Sequence, residues 1–250
     1  MGLGVGTVEV MVSAHQNPDD PAAPEFDAYT ANYNEEINKA LSFSGLDIDF
    51  FARVKNEYLV DILNARLGAA DKVKLLDVGC GVANAHRRLV GRVGELSGID
   101  VSTESIAVAR QRNPSVHYEV FDGTHVPFDD MSLDAAFAVN VFHHVPVAQR
   151  SALVDDIHRV LRHGGLFAIF EHNPVNPVTK HVVDTCEFDK DAVLLKGRDS
   201  EALLRASGLS EVKTRYIFAV PAAGRLLRWV DHLFSRLPLG AQYYTIGIRR

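Results

Sequence analysis

The feature that most constrains this chain is a five-fold alternation of short apolar runs with helical segments. The runs are residues 73–78 (VKLLDV), 96–100 (LSGID), 116–121 (VHYEVF), 134–139 (DAAFAV) and 166–171 (LFAIFE), and helical stretches fall at 83–93, 103–112 and 147–162. Runs apolar on both faces suit parallel strands covered by helices on either side. Strand–helix–strand crossovers are right-handed, so the pattern predicts a doubly wound, mostly parallel α/β sheet. Two more strand candidates, 211–220 and 241–249, bring the sheet to seven, with a long connection between them.

The chain before this alternation reads differently. Residues 1–25 are expected to be a flexible tail: HQNPDDPAAPE breaks both periodicities, and the preceding GLGVGTVEVMV carries Glu9 and no basic stretch, which argues against a secretory signal. Residues 26–250 are read as one domain. Its first part, 26–70, contains Tyr29, Tyr33, Phe43, Phe50 and Phe51 and then a helical pattern through Val54, Tyr58, Leu59, Ile62, Leu63 and Leu67. It reads either as a packing helix or as a lid, with aromatic faces such as that of Tyr33 over a bound cation. Lysine and arginine number 26 against 32 acidic residues, so no positive field favours nucleic acid. Two cysteines give no disulfide framework, and no apolar run approaches the roughly 18 residues of a membrane span. A cytoplasmic protein is expected.

In sheets of this kind ligands bind at the carboxyl ends of the strands where strand order reverses. The first such end, LLDVGCGVANAH (75–86), has Gly79 and Gly81 at the turn, where a side chain would block close ligand approach. A dinucleotide site wants a third glycine where this chain has Asn84, which disfavours NAD and FAD. Asp77, two residues before Gly79, would repel a pyrophosphate but welcome an ammonium or sulfonium. The second strand ends at Asp100, beside Val101, where a carboxylate can accept from both ribose hydroxyls. The third ends at Asp122-Gly123, suitably located for an adenine amine.

Taken together, LLDVGCGVA (75–83), GID (98–100), FDGTHVPFDDMSLDAAFAVNVFHHV (121–145) and LRHGGLFAIFEHNP (161–174) resemble the class I S-adenosylmethionine-dependent methyltransferases, in particular the small-molecule, quinone-biosynthesis-like type 11 branch. They span about half the chain in the family's order. The departure is Ala83, where many members have glycine. The resemblance implies S-adenosylmethionine as cofactor and a final antiparallel strand at 241–249. It places Asp77, Gly79 and the intervening loop through Cys80 and Gly81 at the methionyl end, Asp100 at the ribose, Asp122 at the adenine amine and Asn140 beside the methionine moiety.

Methyl transfer from a sulfonium needs alignment of the nucleophile more than catalytic groups. For a hydroxyl acceptor a base helps, and His144, which matches by spacing the catalytic histidine of phenolic O-methyltransferases, is its candidate. His143 and Glu171 are the other polar groups at these strand ends, with capping or loop packing as the alternative reading. A metal site is not expected: there is no His-Glu-x-x-His or paired Cys-x-x-Cys spacing, and His158, His163, His172 and His181 fall on separate elements. Segments 172–198 and 221–240 are read as substrate-side insertions. The second carries Ala223, Leu226, Leu227, Val230, Leu233, Phe234 and Leu237 on one helical stripe, which predicts core packing, or else a wall for an apolar or lipid-linked acceptor with peripheral membrane contact. The alternatives to an enzyme of this kind are a cofactor-binding partner protein without activity and an NAD-dependent reductase.

Overall fold

The computed structural model describes residues 47–186, 189, 192–222 and 224–250. The expected tail, and the part of the lid that holds Tyr29, Tyr33 and Phe43, lie outside them. In chain order the elements are α1 (Ile48–Leu67), β1 (Lys74–Val78), β2 (Glu95–Asp100), α2 (Thr103–Arg112), β3 (His117–Val120), β4 (Leu133–Val139), α3 (Arg150–Val160), β5 (Leu161–His172), α4 (Pro177–Thr185), α5 (Gly197–Ala206), β6 (Ser210–Ile217), α6 (Arg225–Phe234) and β7 (Gln242–Ile248).

The strands form one seven-stranded sheet in the order β3-β2-β1-β4-β5-β7-β6. β1 to β5 pair in parallel, and β7 is inserted antiparallel between β5 and β6. Strand order therefore reverses between β1 and β4, and the carboxyl ends of these two strands open a crevice there. Period-2 alternation sends β4 and β5 side chains to opposite layers. Phe137, Ala168 and Phe170 pack under α1 and α2 with Val54, Leu59, Leu63 and Ile106. Ala136, Ala138, Phe167 and Ile169 pack under α3 and α5 with Leu153, Val154, Ile157 and Leu204. Each fully buried aliphatic or aromatic side chain contributes roughly 1.5–3 kcal/mol, which is why the sheet needs cover on both faces.

Helix starts follow their capping residues. Asp47 accepts from the Phe50 amide at 2.7 Å, Ser102 Oγ from the Ser105 amide at 3.0 Å, and Asn176 caps α4 with Pro177 in the first turn.

Three expectations need correction. Residues 83–93 form turns and a single 3₁₀ turn at His86–Arg88, because Ala83 and Gly91 both take positive φ and His86 is held by buried side-chain bonds. The helix expected over 147–162 spans only Arg150–Val160, and β5 begins at Leu161, five residues early, across an irregularity opposite β4. The stripe on α6 is not core. Leu226, Trp229 and Leu233 are 73, 62 and 60% exposed, whereas Asp231 is fully buried. Its carboxylate accepts from Tyr58 Oη at 2.6 Å and from the amides of Phe218, Ala219 and Val220 at 2.9, 2.7 and 3.1 Å, so the helix is anchored by its polar side and faces outward with its apolar one. Ala223 lies outside the described residues.

Candidate active site

The crevice is a cavity of about 500 Å³ lined by the strand ends, α1, α4 and the segment before α6. At the β1 turn the Gly79 and Cys80 amides both donate to Ile99 O, at 2.8 and 3.0 Å. Gly79 has φ +74°, and a Cβ there would sit 2.5 Å from Val141, so only glycine lets the β1 and β4 loops meet. Asp100 fixes the next turn: Oδ2 accepts from the Gly81 amide at 2.7 Å and Oδ1 from the Ser102 amide at 2.9 Å.

Asp77 is buried, with Oδ2 2.8 Å from His86 Nε2, and His86 Nδ1 is 2.7 Å from Tyr118 Oη. Burial raises its carboxyl above the usual carboxylate range despite His86 and Lys55. Its other oxygen, Oδ1, is buried without a partner, and so are Asn140 Oδ1 and Gln242 Oε1. All three residues line this cavity. Asn140 also holds φ +56°, a left-handed conformation that costs of order 1 kcal/mol or more and is typical of binding sites. Buried acceptors left open around one cavity ask for a ligand that donates hydrogen bonds.

The same cavity is bordered by an imidazole cluster at the ends of β4 and β5, with Gln242 Nε2 3.5 Å from His172 Nδ1. His143 Nδ1 is 2.5 Å from Glu171 Oε2, and Glu171 Oε1 accepts from the Phe142 amide at 2.8 Å. Burial opposes charge on both partners, but their attraction prevails: His143 is pushed up to about 9, helped by Asp189, and Glu171 lies below its ordinary range. His143 Nε2 and His144 Nε2 lie 3.3 and 3.5 Å from Asp189 Oδ1. Burial and the neighbouring His143 bring both His144 and His172 down to about 4.

The sequence-predicted Asp77, Gly79, Cys80, Gly81, Asp100, Val101, Gly123, Asn140, His143 and His144 all border this one cavity. Glu171 stands behind His143. Asp122 departs from expectation: the cavity is bordered by Phe121 and Gly123, while Asp122 Oδ1 accepts from Thr124 N, Thr124 Oγ1 and His125 N at 2.8, 3.0 and 2.6 Å, bracing its own turn. The Cys80 thiol is raised by burial and by Asp77 and Asp100, which argues against reactivity. Tyr33 lies outside the described residues.

Three cavity-lining residues, Lys55, Asp189 and Gln242, had no motif to announce them, and neither did His86 behind Asp77. Lys55 falls in a helical pattern as an ordinary surface lysine would, yet it is buried at the cavity wall, and burial lowers it from 10.5 to about 8 against the pull of Glu171 and Asp77. The folded protein thus holds this proton more weakly than the unfolded chain, so stability is penalised below about pH 8 and regained as pH rises toward 10.5. From pH 7 to 10 the unfolding free energy of the wild type should gain about 2 kcal/mol relative to Lys55→Met in urea titrations. A difference that stays flat with pH would contradict the buried ammonium.

Residues 76–169 match the methyltransferase-domain family. An O-methyltransferase of Penicillium expansum is 30% identical over 173 residues, covering 64% of this chain and 60% of its own length. A 24-methylenesterol C-methyltransferase of Oryza sativa subsp. japonica is 26% identical over 233 residues, 84% of this chain and 62% of its own. Geranyl diphosphate C-methyltransferase from Streptomyces coelicolor A3(2) shares the fold, with TM-score 0.61 at 16% identity over 93% of this chain and 100% of that one. The chain carries, over residues 76–169, a methyltransferase domain of the S-adenosylmethionine-dependent kind. It spans between 42 and 62% of the length of three curated relatives it matches. The cavity fits the cofactor of this class: open acceptors at Asp77 and Asn140 suit its ammonium, and the Gly79 cradle leaves room for close approach.

Proposed function

We propose that this protein transfers a methyl group from S-adenosylmethionine to a hydroxyl oxygen of an apolar small molecule. The observation that carries this reading is the layout of one cavity, bordered both by the open acceptors of Asp77, Asn140 and Gln242 and by the His143–His144–Asp189 cluster, which Gln242 joins through His172. When bound, the cofactor supplies the electrophilic methyl, so the protein's task is alignment and exclusion of water. Asp77 and Asn140 accept from its ammonium, Asp100 holds the ribose hydroxyls, and Phe121, Val101 and Gly123 border the base. His144 reaches the cavity as a neutral imidazole and takes the acceptor's hydroxyl hydrogen bond. As the new bond forms, that proton becomes strongly acidic, so even a weakly basic ring can receive it. His143, clamped by Glu171, positions its neighbour, with ring centroids 4.1 Å apart.

The apolar character of the acceptor rests on the outward face of α6. Leu226, Trp229 and Leu233 stand exposed on α6, Val175 and Val178 stand exposed in the α4 region, and Val178 also lines the cavity. Single exposed apolar residues are ordinary, but several on one face of one helix mark an interaction surface. Among the described residues no helix is long and apolar enough to cross a membrane. The reading is that this face rests on a lipid surface from which the acceptor enters. One relative is named for O-methylation and another for C-methylation of a sterol, which supports an oxygen acceptor and an apolar small molecule respectively.

Labelled-methyl transfer tests both parts. Phenols and sterol-like alcohols are offered in phosphatidylcholine vesicles and, separately, in solution, with mass spectrometry of the products. An O-methyl product formed faster from vesicles, together with a blue shift of the single tryptophan, Trp229, on vesicle addition, is expected. A C- or N-methyl product would overturn the oxygen assignment, and an unshifted Trp229 emission the lipid face.

A further inference from the structure

We infer that His143, His144 and Asp189 form a binding site for a divalent transition-metal cation whose open coordination position faces the acceptor side of the cavity. The three residues come from two parts of the chain. His143 and His144 follow β4, and Asp189 lies in the connection from α4 to α5. That connection is tied down locally: the Asp189 amide donates to Cys186 O at 3.1 Å, the Ala192 amide to Asp189 O at 3.0 Å, and the Val193 amide to His143 O at 2.9 Å. Arg150 closes the strap by donating to Val145 O and Val193 O at 2.9 and 2.8 Å. Asp189 is therefore held by backbone bonds to Cys186 and Ala192, and Val193 joins the following residues to the histidine loop.

The spacing suits a shared ion better than direct bonds. Oδ1 of Asp189 is 3.3 Å from His143 Nε2 and 3.5 Å from His144 Nε2, and one donor atom from each residue lies within 4.8 Å of the others. Good N–H···O bonds are about 2.9–3.0 Å long. Donors around a tetrahedral ion with bonds of ~2.0–2.1 Å are separated by about 3.3–3.4 Å. The supporting shell is also present. His143 Nδ1 is engaged by the buried Glu171 carboxylate, an arrangement that orients a metal-binding imidazole and directs Nε2 at the ion. Two carboxylates, Asp189 and Glu171, balance a divalent charge, leaving a neutral site inside a largely apolar wall. Two imidazoles and one carboxylate select borderline ions such as Zn²⁺, Mn²⁺, Fe²⁺ or Co²⁺ over Mg²⁺ and Ca²⁺. Three protein ligands on a cavity wall leave a fourth position for water or substrate.

The role of this ion rests on the proposed oxygen acceptor. A metal–oxygen bond to the acceptor replaces one to water, the hydroxyl proton leaves to solvent, and the oxygen faces the cavity as an alkoxide or phenolate. Without the ion, His144 receives the proton; with it, the His144 lone pair is on the metal.

The test uses chelator-treated full-length chain, saturated with S-adenosylhomocysteine and titrated with Zn²⁺ in a calorimeter and with Co²⁺ by visible absorption. One equivalent of metal should bind, with Co²⁺ bands of low coordination number. His144→Ala and Asp189→Asn should each weaken binding by about a hundredfold or more while leaving S-adenosylhomocysteine affinity unchanged. His143 is left intact because its buried pairing with Glu171 also serves folding. Absence of binding by the wild type, or wild-type affinity retained in either variant, overturns the site. Methylation of a hydroxyl by metal-free protein that binds no Zn²⁺ or Co²⁺ likewise sinks this inference and leaves the methylation reading standing. Tight binding through His144 and Asp189 with no hydroxyl acceptor methylated upholds the site and sinks that reading instead.

Discussion

Asp231→Ala is expected to lower the unfolding free energy by about 4 kcal/mol or more. Its carboxylate is fully buried and receives four donors, the Tyr58 hydroxyl and the successive amides of Phe218, Ala219 and Val220. Alanine removes the acceptor and leaves all four donors inside the protein, at roughly 1–3 kcal/mol each before relaxation and water entry reduce the sum. Tyr58→Phe, which deletes a single donor, should cost only about 1 kcal/mol and calibrates the comparison. The damage should also reach the cavity, because Phe218, Ala219 and Val220 line it and Phe218 packs against Phe51 with centroids 5.0 Å apart. Urea unfolding within about 1 kcal/mol of the wild type would show that Asp231 is not the anchor of α6.

Asp77→Asn is expected to weaken S-adenosylmethionine and S-adenosylhomocysteine binding by about a hundredfold while leaving the protein without ligand as stable as before, or more so. A charge-assisted bond to the ligand's ammonium contributes roughly 1.5–3 kcal/mol, which is the expected loss. The stability half follows from the raised carboxyl: a buried acid whose folded pKa exceeds its unfolded value destabilises the fold at neutral pH, and the neutral amide relieves that. Opposite signs for binding and stability mark a residue kept for its ligand. Calorimetry showing unchanged affinity would remove Asp77 from the cofactor site.

What could be read in advance was what repeats locally. Both-face apolar runs specify parallel buried strands whatever their neighbours, so β1 to β5 emerge from pattern alone. The Gly79–Gly81 turn and the acids at successive strand ends mark the ligand side, because backbone conformation and carboxylate chemistry are carried by the residues themselves. Asp122 shows the limit of that argument: its position at the strand end was legible, but whether an Asp turns outward or caps its own loop depends on amides two and three residues on.

Residues 83–93 had a helix-compatible composition, yet no helix forms there, because Asp77 and Tyr118 hold His86 from distant strands. The α6 stripe has the periodicity of a core helix. Its orientation was decided by Asp231, whose four partners come from α1 and the segment just after β6. Lys55 and Asp189 carry no motif either, since burial and partnership across more than 40 residues of sequence are properties of packing. Period and turn chemistry are short-range and survive in the bare sequence; electrostatic environment and the choice of buried face are sums over neighbours that only the folded chain brings together.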